Sequence, residues 1–256
     1  MTTITTAATP PAVPDDTVLR LGLVVLSTDL TIEGDIIGLM PQGTSAHVSR
    51  VAFANPTTPE NLAAMAPHLG ASADLILPGL ALGAIGFGCT SGSVVMGDDT
   101  VRGAIGAVRP GVPVVTPAAA AVDGFRALGV ARIALLTPYL AQTTAPVAAY
   151  FAAAGLEVVR CHGLGMADDR DIARVTAGDI LAAVQAADDP AAQAVFVSCT
   201  ALPVLGLIPQ IEAALGKPVL SSNQALGWGM LRAAGRSTDG PGRLFSVDRT
   251  GRGAAA

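Results

Sequence analysis

The feature that most constrains this chain is an internal repeat. Arg132-Ile133-Ala134-Leu135-Leu136-Thr137 mirrors Arg20-Leu21-Gly22-Leu23-Val24-Val25. Gly216-Lys217-Pro218-Val219-Leu220-Ser221 repeats Gly111-Val112-Pro113-Val114-Val115-Thr116. Between these marks, one apolar run ends at Gly88-Cys89-Thr90-Ser91 and another at Ser198-Cys199-Thr200, 110 positions further on. Strand-length and helix-length segments alternate in the same order twice, βαβαβαβα. Such alternation implies parallel sheets covered by helices. The expected fold class is therefore α/β, with two pseudo-symmetric lobes, each a parallel sheet flanked by helices, and an active site in the cleft between them.

The divisions follow from the same pattern. Residues 1–17, rich in Thr, Ala and Pro, read as a loose tail, and 18–116 and 117–222 as the two lobes. Residues 223–236 read as a C-terminal helix packing back on the first lobe, and 237–256 as a flexible Gly/Arg-rich tail. Within the first lobe, strands are expected over 19–26, 47–54 and 82–88. One helix is expected from the Thr58-Pro59-Glu60 start to about Leu77, and another from Asp98. In the second lobe, strands are expected over 156–160 and 194–198, a polar loop over 168–174 and a helix over 204–215.

Composition excludes several classes of function. The formal net charge is −5, with no basic footprint for nucleic acid. Three cysteines make no disulfide framework and no CxxC motif, and the N-terminus has no secretory pattern, so a cytoplasmic setting is expected. Residues 75–97 carry no charge, but Pro78 and six glycines break them, so no membrane span is expected. The three histidines have no ligand spacing, so no metal is expected. Gly86-Phe87-Gly88-Cys89-Thr90-Ser91-Gly92 does not match GxGxxG, and the only lysine, Lys217, is poorly placed for a Schiff base. Chemistry without a cofactor remains.

Cys89 and Cys199 are the candidate catalytic residues. A cysteine after a buried strand is, by itself, most often a packed hydrophobe. Two of them in equivalent places, each followed by hydroxyls and a helix, point elsewhere. A thiolate at a helix N-terminus is stabilised by unpaired N–H groups, which can also bind a carboxylate or enolate oxygen. Thiols facing each other across a cleft can serve opposite faces of one carbon, one removing a proton and the other returning it. Cys161 has no such neighbours and reads as structural. Tyr139 could donate into the cleft or simply pack with its hydroxyl at the rim. Asp29, in the loop Ser27-Thr28-Asp29 after the first strand, could face the cleft or cap the first helix.

Cys89-Thr90-Ser91, Leu136-Thr137-Pro138-Tyr139, Cys199-Thr200, Ser222-Asn223-Gln224 and the stretch from Ala52 to Glu60 resemble the aspartate/glutamate racemase superfamily. Within it they resemble the branch of maleate isomerases, arylmalonate decarboxylases and the ectoine-utilisation protein A, the last most of all. The resemblance covers Leu19 to Ala234. It implies two lobes, no cofactor and carbanion, enolate or thiol-addition chemistry. It makes Cys89 and Cys199 catalytic, and Ser27, Thr28, Asp29, Thr90, Ser91, Tyr139 and Thr200 substrate-binding. The implied partner is a small-molecule carboxylate, and homo-oligomerisation is compatible with the reading.

Three departures refine it. Decarboxylases of the branch carry glycine where Cys89 stands, so two thiols favour a racemase, epimerase or isomerase. Ala201 replaces the histidine of amino-acid racemases. Asp29 replaces a carboxylate-binding asparagine of maleate isomerases, which disfavours a dianion and suits an acid bearing a cationic nitrogen, such as an ectoine-type amidinium. The rival expectations are an arylmalonate-type decarboxylase relying on Cys199, and a two-lobed binding protein whose cysteines only pack.

Overall fold

The structure, a computed structural model, describes residues 17–237 and 239–247. The expected tail over 1–17 lies almost wholly outside them. Among the described residues there are eight strands: β1 (Leu19–Leu26), β2 (Thr44–Val51), β3 (Ala84–Gly88), β4 (Val114–Val115), β5 (Arg132–Tyr139), β6 (Glu157–Met166), β7 (Ala194–Val197) and β8 (Val219–Ser221). They form two four-stranded sheets, ordered β2-β1-β3-β4 and β6-β5-β7-β8, with every pairing parallel. The repeat is thus a repeat of topology, and helical crossovers make the parallel order possible.

Burial follows sheet position. The inner strand β1 is buried from Leu21 onward and β5 from Ile133 onward, which explains their unbroken apolar runs. The edge strands β2 and β6 are mostly half-buried or exposed and mix polar with apolar residues, whereas the short edge strand β8 is buried.

One helix of each half serves the opposite sheet. The helix Pro117–Ala127, capped by the Thr116 hydroxyl, closes the first half of the repeat. Its Phe125 nevertheless packs edge-to-face on Phe196 of β7, centroids 6.1 Å apart, in the second core. The helix Ser222–Ala233, started by a Ser221/Gln224 capping box, closes the second half. Leu226, Met230 and Leu231 from it pack with Leu21, Leu23 and Ile32 of the first lobe. Gly86 permits that approach, because a Cβ there would lie 2.5 Å from the Met230 sulfur.

Several expected elements are corrected. The second strand runs over Thr44–Val51 rather than 47–54, in register with β1 from Leu19↔Thr44 to Leu26↔Val51. The helix expected over 58–77 is three pieces: Pro59–Ala63, a 3₁₀ turn Ala66–His68 and Leu69–Asp74. Pro67 has no N–H to continue the ladder and crowds the preceding turn. A helix begins at Thr90, directly after Cys89, before the one over Asp98–Gly106. β6 extends to Met166 and the polar loop at 168–174 contains the short helix Asp169–Ile172. The helix expected over 204–215 opens with a 3₁₀ turn and is α-helical over Ile208–Leu215. The flexible tail expected over 237–256 is corrected where it is described, since Leu244 and Phe245 of the 3₁₀ turn Arg243–Ser246 are buried.

Candidate active site

In the first lobe β3 delivers Cys89 with an extended backbone (φ −153°, ψ 114°), as N-cap of the helix Thr90–Met96. Its sulfur accepts the Gly92 N–H at 3.2 Å and lies 3.8 Å from the Ser91 hydroxyl. A Cβ at Gly92 would sit 2.9 Å from that sulfur, so glycine leaves room for the thiol to cap. This is the helix-terminus arrangement expected of a stabilised thiolate, yet the thiol is only 4% exposed. Burial, then the Asp169 carboxylate, push its pKa up to about 12, and the Gly92 and Ser91 contacts only partly offset them. The closed site therefore holds Cys89 as a neutral thiol at neutral pH, which corrects the expectation of a ready thiolate.

In the second lobe β7 ends at Val197, and Cys199 has φ +100°, a left-handed conformation that disfavours a side chain. No helix starts at Thr200; the next helical turn is the 3₁₀ segment Leu205–Leu207. The expectation that both thiols sit at helix N-termini therefore holds for Cys89 alone. Pro203 supplies the reason, because the residue before a proline is driven out of the helical region. Cys199 relies on other donors: burial and then Asp169 raise its pKa well above normal, while the Ala201 N–H and the Tyr139 hydroxyl oppose them. Tyr139, at the end of β5 and 1% exposed, points its hydroxyl at this corner, 3.3 Å from the Ser198 hydroxyl. It both packs and bonds inward.

Side-chain bonds join the two corners. The Thr90 hydroxyl donates to Ser222 Oγ at 2.7 Å, and that same oxygen accepts the Cys199 N–H at 3.0 Å. The Thr200 hydroxyl donates to the Gly88 carbonyl at 3.2 Å. The residues flanking each thiol are thus tied to the corner of the other, and Cys89 and Cys199 flank one seam. Thr90 and Thr200, expected to hold substrate, spend these hydroxyl bonds on the seam.

The loop after β1 divides its work. Val25 pairs with Gly88, so Ser27-Thr28-Asp29 leave the sheet beside Cys89. Asp29 is 2% exposed, and its Oδ1 accepts the Thr31 and Ile32 amides at 2.8 and 2.9 Å, capping the helix Ile32–Leu39. Burial raises its pKa against those amides, the Thr200 hydroxyl and the Arg50 charge. Ser27 is exposed and exchanges hydrogen bonds with the Phe53 backbone, which places it on the outer rim. Thr28 reaches across the cleft to Asp169, its hydroxyl donating to Oδ2 at 2.9 Å.

Asp169 and Ser222 are the residues that sequence reasoning missed. Tyr139 pairs with Met166, so the chain leaving β6 passes beside Tyr139 and brings Asp169 to the same rim. Thr57 also donates to Asp169, at 3.3 Å, and Asn55 accepts its amide at 3.2 Å. Burial raises the Asp169 pKa to about 6 against the Thr28 hydroxyl, and the nearby Asp29 adds to the rise. The available signals were two acids at a strand exit for Asp169, and for Ser222 the Ser222-Asn223-Gln224 stretch just after a repeated strand. Cys161 and His47 stand on the edge strands and are not part of the seam. A separate cavity of about 450 Å³, lined by residues such as Arg102, Trp228 and Arg232, includes none of these side chains. Among the described residues no helix is long and apolar enough to cross a membrane.

Comparison with known proteins agrees with this geometry. The arylmalonate decarboxylase family profile matches residues 84–245. The arylmalonate decarboxylase of Bordetella bronchiseptica is 37% identical over 142 residues, which span 53% of this chain and 58% of that enzyme. The maleate isomerase of Nocardia farcinica is 29% identical over 250 residues, covering 90% of this chain and 96% of its own length. A solved structure of the Nocardia enzyme, a variant with a covalently bound succinylcysteine intermediate, superimposes with a TM-score of 0.82 at 28% identity, covering 89% of this chain and 98% of that one. The chain belongs to the arylmalonate decarboxylase family, in the branch of the aspartate/glutamate racemase superfamily that also holds the maleate isomerases.

Proposed function

We propose that this protein is a cofactor-independent racemase, epimerase or isomerase of a small carboxylate, with Cys89 and Cys199 as its reacting groups. The observation that carries the reading is the seam: two thiols at equivalent strand ends, whose neighbours Thr90 and Thr200 bond across it to Ser222 and to the Gly88 carbonyl. In the proton-transfer form, one cysteine takes the substrate proton as thiolate and the other, as thiol, returns one to the opposite face. In the addition form, one sulfur bonds to an alkene carbon, the neighbouring carbon takes the proton of the other thiol, and bond rotation precedes elimination. The succinylcysteine reported for the Nocardia enzyme favours the second form for an unsaturated acid. Tyr139 holds the charge on Cys199 through its hydroxyl, and Ser91 does so for Cys89.

Raised thiol pKa values fit a resting state in which neither sulfur is charged until substrate displaces water and moves the surrounding acids. Asp29 supports a substrate with one carboxylate and a cationic nitrogen, an ectoine-type amidinium acid being one case. The arylmalonate decarboxylase likeness supports a second reading, an enolate-forming decarboxylase that needs only Cys199.

Single variants separate the two. Under the two-thiol reading, Cys89→Ser and Cys199→Ser each lower turnover roughly 10²- to 10⁴-fold, and the double variant is little worse because the pair acts as a unit. Proton exchange in D₂O followed by NMR is the measurement. Full turnover by Cys89→Ala would give the decision to the decarboxylase reading.

A further inference from the structure

The acids around the thiols lack what buried acids normally have. Asp169 is 4% exposed, and its side-chain donors are the hydroxyls of Thr28 and Thr57, both from the opposite lobe. An ionised carboxylate has about four acceptor sites, and burying one without a cation is costly. Asp29, the other carboxylate that acts on both sulfurs, is better served: one oxygen accepts the Thr31 and Ile32 amides, and the Thr200 hydroxyl and the Arg50 charge also favour its ionised form.

Nearby cations are engaged elsewhere. Arg170 pairs with Asp168, Arg174 with Asp171 at 3.4 Å, and Arg50 with Glu33 at 2.5 Å. The Arg50 guanidinium donates to the Asp29 backbone carbonyl at 3.0 Å and its charge favours the Asp29 carboxylate, without forming an ion pair with it. Among the described residues, no lysine, arginine or histidine forms an ion pair with either acid.

We propose that Asp169, acting with Asp29, sets the specificity of this site by receiving a cationic nitrogen of the ligand, so that amino or amidinium acids are taken in preference to dicarboxylates. The inference rests on the reading of the seam as a site for a small carboxylate, and it adds the charge partner. Asp169 is the stronger determinant of the two, because no backbone amide serves its carboxylate as two serve that of Asp29. A bound cation also relieves the repulsion that both acids exert on a forming thiolate, so the preferred ligand helps to activate its own nucleophile.

The test needs no turnover. In a Cys161→Ser background, which removes the exposed third thiol, modification rates are measured at pH 8 with cationic 2-aminoethyl, anionic 2-sulfonatoethyl and neutral methyl methanethiosulfonate. Each reagent passes its thioalkyl group to a thiolate, forming a disulfide and releasing methanesulfinate, and the neutral one corrects for changes in thiolate supply and access. The cation-to-anion rate ratio should fall about ten- to hundredfold in Asp169→Asn, and less in Asp29→Asn. An unchanged ratio in a folded Asp169→Asn protein overturns the proposal.

If the closed site admits none of the reagents, maleate binding by calorimetry decides. Affinity at least about tenfold higher in Asp169→Asn supports the proposal, and equal or undetectable binding in both proteins overturns it. A protein that discriminates charge in these assays but fails the cysteine test above would keep this inference and lose the isomerase reading.

Discussion

The two lobes build matching corners by different means. In the first lobe the backbone holds the polar groups: Cys89 caps a helix through the Gly92 N–H, and Asp29 caps another through the Thr31 and Ile32 amides. In the second lobe Cys199 sits at φ +100° with no helix behind it, and Asp169 depends on hydroxyls reached across the cleft. Helix ends are fixed by many cooperative bonds, whereas a loop held by a few side chains can change its arrangement at low cost. The first corner is therefore preorganised for one geometry, and the second is expected to be the more adaptable of the two.

That contrast can be broken most sharply at the acids. Asp169 has a pKa of about 6 in the fold against 3.8 for the ordinary group. Between those pH values the folded state binds more protons than the unfolded chain, so stability falls as pH rises through the window. The deficit above pH 6 is at most about 3 kcal/mol. Asp169→Asn should therefore raise the melting temperature at pH 7.5, with the gain shrinking as pH drops towards 4. Asp29→Asn should gain less, since its two amides already serve the charge. Equal gains in thermal melts at both positions would erase the distinction between the corners.

Ser222 comes next in size. Ser222→Ala leaves the Cys199 N–H and the Thr90 hydroxyl without their acceptor in a buried place, at a cost of about 1–3 kcal/mol. Urea unfolding measures the loss. Reactivity of both thiols should change together, because the one hydroxyl serves both corners.

The smallest effect separates the two cysteine backbones. At Cys199 the left-handed φ favours glycine over alanine, by about 1 kcal/mol. At Cys89 the backbone is extended, so alanine should be the more stable replacement, by roughly 0.5–1 kcal/mol. Four variants in one denaturation series give the comparison. The same order at both positions would mean that the two corners share one backbone geometry.

The sequence made the layered repeat legible because buried inner strands leave continuous apolar runs, and those runs end where both thiols stand. It also marked the cap at Thr58, whereas Thr116 and Ser221, read as strand ends, prove to cap the helices that follow, each acting on an amide three residues away. What it hid is of another kind. Ser222 and Asp169 matter through partners 132 and 141 residues distant, and no local pattern records such a meeting. The thiol pKa was misread because helix position is local while burial is a property of the assembled lobes. Pro67 and Pro203 were readable warnings against a continuous helix and against a second helix-capped cysteine.

The crossed helices bear on how such a molecule becomes complete. The face of the first sheet carrying Leu21 and Leu23 is covered by the helix Ser222–Ala233, and the helix Pro117–Ala127 covers part of the second. A chain cut between the halves would leave each sheet with an uncovered apolar face and a helix made for the other. Two such fragments could satisfy themselves only by trading those helices, as subunits do in a swapped dimer. The single chain is in effect that dimer with its ends joined, and its two halves are expected to fold as one cooperative unit.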